Sequence, residues 1–517
     1  MIVGSGIVLI LIVFTLISLW CRKKIHSSED YWLMGRRATW WMFAGTLCAS
    51  YVSLATFIGG VGAAWQWGPM PYLLFFTSSL TFGWLIAVVL IGLRMRKMGC
   101  TSISDFYQQR FGDDSKGLFT GIGAALAAIL FFYLLIQLQG GGIVIATIFD
   151  IPQAVGVAIM LAIIALTLGS SGMYSVVMTD TVSMFIFIIA GIVVLPGTIL
   201  AVGGLDTGLA AVGANGGWGA TGSSGLSMSY FVGFALAWLS IIGGSPHLIN
   251  RSLIVDTPRS IVKGSFVAYI ITIALTVVVF IASAMLVAVI EPGSMSPDDI
   301  SAYAAVNVWP PVVGFFLIGG AMAAAFTTAN TQTLTVSQGV VDIFRFASKR
   351  RFSDRNIQRL TMVISVLVLI IVGVFAVQQV WLIVIASSLA GVIASLGFFP
   401  TLIVSLYWKG VTTQAVKIML WGSIPIGAFM IATNTAWGWF APFPTIYSYP
   451  IGFGGLILLS CLTRQTEGAA EGYDRMQATA FQVSASKIEK NDLWTIAIGL
   501  LFILAVFIGL QILLGIW

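Results

Sequence analysis

The chain has 517 residues, 58% of them hydrophobic and only 9% charged, with a mean hydropathy of +1.00. Soluble domains carry about 25% charged residues, so this composition excludes a large soluble core and indicates a polytopic membrane protein. The formal net charge of +6 does not call for a nucleic-acid partner, because basic loops on the cytoplasmic side give the same sign.

The N-terminus, MIVGSGIVLILIVFTLISLW, has no basic segment before its apolar run; Arg22, Lys23 and Lys24 follow it. A signal peptide has the opposite order. The stretch reads as a retained first helix with its N-terminus outside. Further apolar runs of spanning length fall near 38–67, 70–95, 117–146, 151–169, 174–203, 227–250, 258–291, 310–345, 359–377, 379–409, 412–435, 446–464 and 493–517. With the first, they make about fourteen spans.

From an outside start, every Lys and Arg of the chain, 25 in all, falls in or beside a cytoplasmic connection. Arg251, Arg259 and Lys263 belong to the loop after residue 250. The outward loops carry acids, among them Asp206, Glu291, Asp298 and Asp299. A wrong span count would scatter these charges. Segment 204–226 is a Gly/Ser-rich outer loop, and 464–492 is a polar inner linker that tethers the last helix.

The second span, ATWWMFAGTLCASYVSLATFIGGVGAAWQWG, carries Gly59, Gly60 and Gly62, with Ser50, Tyr51, Ser53 and Thr56 just before them. Glycines clustered within a span mark either a helix break or a tight packing face. A break beside hydroxyls is how secondary transporters build ion and substrate sites. Spans two to six make five helices and spans seven to eleven another five. Because five is odd, a shared fold must be inverted in the membrane. Span seven meets the test, since Gly243, Gly244 and Pro246 interrupt it too.

In span nine, Ala324, Thr327 and Thr328 lie at i, i+3 and i+4, so a carbonyl and two hydroxyls share one face. With carbonyls freed at the span-two break, they suit sodium, a hard cation that takes neutral oxygens. The alternative is threonine bonding back to its own helix. Asp180 stands inside span six, either facing a wet cavity or ion or acting as a helix-start acid. His247 caps loose carbonyls or touches solute, and Trp238, two turns from Pro246, supplies an aromatic wall. No Lys or Arg lies in a span's middle. That favours a small monoanion, zwitterion or neutral solute over polyanions. Four cysteines without paired spacing and only two histidines argue against disulfide, metal-cluster or haem chemistry.

The stretches YWLMGRRATWWMFAGTLCASYVSLATFIGGVGAA, GMYSVVMTD, GGSPHLINR and AAAFTTANTQTL, with LYW at Tyr407, resemble the sodium:solute symporter family over nearly the whole chain. The resemblance implies an all-α fold with a five-plus-five inverted-repeat (LeuT-like) core and extra flanking helices. On this sequence, residues 1–37 form the N-terminal extra helix and first inner loop, 38–203 the first repeat, 227–410 the second and 411–517 the C-terminal helices. It implies a sodium site from backbone oxygens of Ala49, Val52 and Ala324 with the hydroxyls of Thr327 and Thr328. Asp180 is similar to the family's second cation-linked aspartate. Tyr51, Ser53, Thr56, Trp238 and Pro246, with His247 beside them, match its substrate region.

The proline permeases of the family have an aspartate where this chain has Tyr51. The ASYVS and GSPH pattern is more similar to the pantothenate and monocarboxylate members. The expectation is a sodium-coupled importer of a small monocarboxylate, pantothenate or a short-chain acid, in the cytoplasmic membrane. A sodium/proline symporter and a proton-coupled transporter of the same fold are the alternatives. A membrane sensor would need an output domain larger than 464–492. An enzyme would need an acid/base pair, metal spacing or phosphate loop, and none is present, so no catalytic residue is assigned.

Overall fold

The computed structural model describes residues 2–112, 116–348, 353–379 and 382–487. Among the described residues the chain is helical, with eleven helices long and apolar enough to cross a membrane and a sharply bent pair that makes a twelfth span. In chain order these are α1 (Ile2–Arg22), the bent pair α2 (Trp40–Tyr51) and α3 (Ala55–Trp67), and α4 (Tyr72–Lys97). A short helix α5 (Ile103–Phe111) follows, then α6 (Gly117–Phe149), the shorter α7 (Gln153–Ala165) and α8 (Gly172–Ala201).

The second half holds α9 (Met228–Gly243) and α10 (Pro246–Leu253), two parts of one interrupted span. After them come α11 (Pro258–Ala288), α12 (Pro311–Val341), α13 (Arg359–Gln378) and α14 (Ile383–Ile393). The series ends with α15 (Phe399–Tyr407), α16 (Thr413–Trp437), α17 (Thr445–Leu462) and α18 (Glu467–Lys487). The expected last span, 493–517, lies outside the described residues. So does the end of the 464–492 segment.

Both expected interruptions exist, but the first is displaced. The bend of 53° between α2 and α3 falls at Val52–Leu54, ahead of the glycines. Val52 takes an extended conformation, and the Ser53 hydroxyl accepts the Ala55 amide at 3.1 Å. A serine that bonds its own backbone two residues on competes with helix continuation and starts the next helix. The glycines lie within α3 and serve close packing instead. A side chain on Gly60 would strike the Phe280 ring, and one on Gly62 would fall 1.9 Å from the Pro297 carbonyl oxygen. The loop that carries Pro297 is held at its other side by Asp298, whose carboxylate accepts the Ile383 amide at the start of α14 at 3.0 Å.

The second interruption lies at Gly244 and Ser245, with Pro246 opening α10. Proline at a first helical position loses nothing, because that amide has no helical acceptor. The residue ahead of α2 pairs with the residues after α10: Ala38 donates to the Ile254 carbonyl at 3.2 Å and accepts from Asp256 at 3.0 Å. The start of α2 and the end of α10 therefore share one face of the bundle. The two interrupted helices run in opposite directions, as an inverted repeat requires. The core between them is built from α12, which packs along α6 and α8.

The 464–492 segment is more than a tether, because α18 caps α15. The Arg110 guanidinium, 1% exposed, donates to the carbonyls of Ser405 at 2.9 Å and of Trp408 and Lys409 at 3.2 Å. It also reaches the Ala469 carbonyl at 2.5 Å. From α18, Gln477 donates to the Leu406 carbonyl at 2.9 Å and Tyr473 to that of Tyr407 at 3.0 Å. Carbonyls at a helix end have no partner of their own and need one when buried. Arg110→Ala should therefore cost about 2–4 kcal/mol, since bonds to a charged donor are worth about 1.5–3 each and are not additive. It should also free α18. Limited proteolysis at 467–487 together with a thermal melt in detergent reads both effects.

Candidate sodium and solute site

The break after α2 leaves helix-end carbonyls from Ala49 to Val52 without their usual partners. The amide of Leu54, which would have served the helix, points instead to Gln137 Oε1 at 3.4 Å. Across from this end runs the middle of α12. The Thr328 hydroxyl approaches the Ala49 carbonyl at 3.4 Å, which joins α2 to α12 at the expected place. Thr327 Oγ1 donates to the carbonyls of Ala323 at 3.0 Å and Ala324 at 3.3 Å. Ala49, Val52, Ala324, Thr327 and Thr328 are all buried. The back-bonding alternative thus describes Thr327 as it stands, whereas the bond of Thr328 is to the other helix. Neutral oxygens of this kind match the donor chemistry of a hard monovalent cation, and the Asp180 carboxylate interacts with the Thr327 hydroxyl at their edge.

Beside this cluster, Asp180 on α8 is fully buried and is paired. Its Oδ2 lies 2.8 Å from Arg251 Nη1 and also accepts the Thr46 hydroxyl. Arg251 Nη2 donates to Thr331 Oγ1 at 2.6 Å, and Nη1 faces the Met173 sulfur at 3.8 Å. This corrects two sequence expectations: Arg251 is not in a cytoplasmic loop, and the bundle does contain a cation. The cause is the Pro246 interruption. The helix restarts there, and all eight residues of α10 are buried, which carries Arg251 inward at a point where charge counting places it in a loop.

On the other side of the break lie the expected solute residues. Trp238 on α9 is edge-on to Phe76 at 5.0 Å and to Tyr133 at 6.4 Å between ring centres. Tyr133 also meets the His247 ring at 5.8 Å. The His247 Nδ1 pairs with the Ser245 hydroxyl at 2.7 Å. Three buried polar atoms here have no protein partner: Tyr51 Oη, Trp238 Nε1 and His247 Nε2. Buried polar groups are nearly always satisfied, so unpartnered ones point to a water, ion or ligand.

Ser53 is occupied with capping α3, and Thr56 is buried on the first turn of that helix. Pro246 opens α10 between Ser245 and His247. It lines a small crevice with Ser102, Leu126, Asn250, Thr335 and Gly339. Sequence reasoning missed Tyr133, Gln137, Phe76, Thr46 and Arg251. A signal existed for two of them, since Tyr133 and Gln137 stand one turn apart among the few polar residues of a largely apolar helix.

The model for the sodium:solute symporter family matches residues 31–424, well over half of the chain. This chain belongs to the sodium:solute symporter family. A sodium/pantothenate symporter of Haemophilus influenzae is 23% identical over 438 residues, which cover 80% of this chain and 86% of that protein. Among solved structures, a Na+-coupled sialic acid symporter in a substrate-bound outward-open state superposes with a TM-score of 0.69 at 16% identity. The match covers 90% of this chain and 99% of that one. Mhp1, a nucleobase-cation-symport-1 family transporter in a closed conformation with bromovinylhydantoin bound, gives a TM-score of 0.55 at 10% identity over 87% of this chain and 99% of its own. The fold of this sodium:solute symporter family member is therefore the LeuT-like inverted repeat, a multi-pass membrane transporter architecture. Sodium and a small solute are the transported partners that membership implies.

Proposed function

We propose that the chain imports a small monocarboxylate, of the pantothenate or short-chain acid type, together with sodium. It would do so across the cytoplasmic membrane with its N-terminus outside. The observation that supports this most is the convergence of Tyr51, Trp238 and His247 with polar atoms unpartnered between the two interrupted helices. A hydroxyl and an indole N–H donate hydrogen bonds without carrying charge. They suit a carboxylate, while Trp238, Phe76 and Tyr133 give apolar area to the rest of the solute. Among the described residues, the arginine buried beside the site, Arg251, is taken by Asp180, which leaves it no free charge to offer a dianion. Sodium at Thr327 and Thr328 would supply the positive charge near the solute. Ion and solute should then each tighten the other by the same factor.

The experiment is uptake by proteoliposomes of labelled pantothenate, short-chain monocarboxylates and proline, with sodium replaced by choline at fixed pH. Accumulation of a monocarboxylate only with sodium, and without response to an imposed pH gradient, is the expected result. Proline as the preferred solute, or uptake driven by the pH gradient without sodium, would overturn the reading. For the accepted solute, Trp238→Ala should weaken binding by about 1 kcal/mol or more, with sodium affinity in its absence little changed. Unchanged solute affinity in both Trp238→Ala and Tyr51→Ala would put the solute elsewhere.

A further inference from the structure

The pair Asp180 and Arg251 bears on how many ions the protein carries. Thr46 is one turn before Ser50 on α2, and Thr331 is one turn after Thr327 on α12. The ion pair therefore bridges the two helices that bear the proposed sodium oxygens, and Asp180 interacts with one of those oxygens, the Thr327 hydroxyl. Both side chains are 1% exposed, and the pair is extended by Thr46 at one end and Thr331 at the other. The family resemblance makes Asp180 a cation-linked residue, and the structure shows which cation is present.

We propose that Arg251 is a tethered cation that holds the position beside Asp180, so that the protein binds one sodium per chain and not two. This rests on the sodium-coupled reading and extends it to stoichiometry. Arginine does not lose its proton in proteins, so the position cannot be vacated by titration. Asp180 Oδ2 already receives the guanidinium and the Thr46 hydroxyl. Its Oδ1 is buried and unpartnered, but an ion there would stand within a few ångströms of the guanidinium. Among the described residues, Arg251 is paired with no carboxylate other than Asp180. Two cations against one carboxylate in a dry interior repel strongly. With one sodium and one monoanion bound, the charges of ion, solute, Asp180 and Arg251 cancel, and the loaded core is neutral.

The test counts ions without needing the solute. Equilibrium binding of radioactive sodium to the purified full chain in lipid nanodiscs should saturate at one per chain for wild type, with a Hill slope of one. Arg251→Met bares the carboxylate and should raise the count to two, while Arg251→Lys keeps it at one. The charge-neutral pair Asp180→Asn with Arg251→Met should also bind one, with an affinity within about threefold of wild type. Two sodium ions on wild type would overturn the proposal while leaving sodium coupling intact. So would the loss of an ion in the neutral pair, or a folded Arg251→Met that still binds one. If Arg251→Met does not fold, the wild-type count and the neutral pair decide. No sodium on wild type would overturn the coupling reading as well, an outcome distinct from a count of two.

Discussion

Asp180→Ala should destabilise the folded protein by about 3–5 kcal/mol, because it strands the Arg251 guanidinium in the bundle interior. The pair is 2.8 Å apart with both partners buried, so removing one partner leaves the other uncompensated. A charge at the centre of a spanning helix costs about 2.5–3.5 kcal/mol on insertion scales, which points to the same magnitude. The neutral replacement of both, Asp180→Ala with Arg251→Met, should recover most of the loss, since exchanging a buried pair for apolar side chains is often close to neutral. Membrane yield and melting temperature in detergent measure this. Equal loss in the single and double variants would mean that the two residues act independently. A single variant as stable as wild type would mean that water reaches the pair.

Thr328→Ala should raise the sodium concentration for half-maximal uptake by tenfold or more, while Thr328→Ser stays within about threefold. The expectation follows from the hydroxyl that reaches across to the Ala49 carbonyl at 3.4 Å, where an ion between the helices would take both oxygens. A tenfold change corresponds to about 1.4 kcal/mol, next to the lower end of the range of about 1.5–3 for one bond to a charged partner. Thr327 bonds the carbonyls of Ala323 and Ala324 in its own helix, so Thr327→Ala should act in the same direction but would also disturb α12. Thr328 is the cleaner test. Unchanged sodium dependence in Thr328→Ala at normal membrane yield would remove this residue from the ion site.

Two positions show where linear reading stops. In span two the sequence points to Gly59, Gly60 and Gly62 as the break, with Ser53 only one of the hydroxyls ahead of it. Propensity favours the glycines, yet the helix ends at Val52 and Ser53. The close approach of Phe280 and Pro297 to Gly60 and Gly62 is a tertiary requirement that keeps small residues inside a continuing helix. Arg251 shows the same limit for charge. Its place near a span end made it indistinguishable from loop arginines until α10 was seen to fold inward.

By itself the sequence determined that this is a multi-span membrane protein, where its helices lie and that two of them are interrupted in corresponding halves. Hydropathy, charge placement and glycine and proline chemistry act locally, so they are legible along the chain. Helical spacing also singled out Thr328 beside Ala324 and Thr327, whereas Ala49 entered only through the family resemblance. Only the tertiary structure decided which residue breaks span two, that Asp180 faces Arg251 and that Tyr133 joins Trp238 and His247. It alone decided that α18 is clamped to the end of α15 by Arg110. Each of these is a contact between residues distant in sequence, and its energy depends on burial and distance. Neither is defined until the helices have packed.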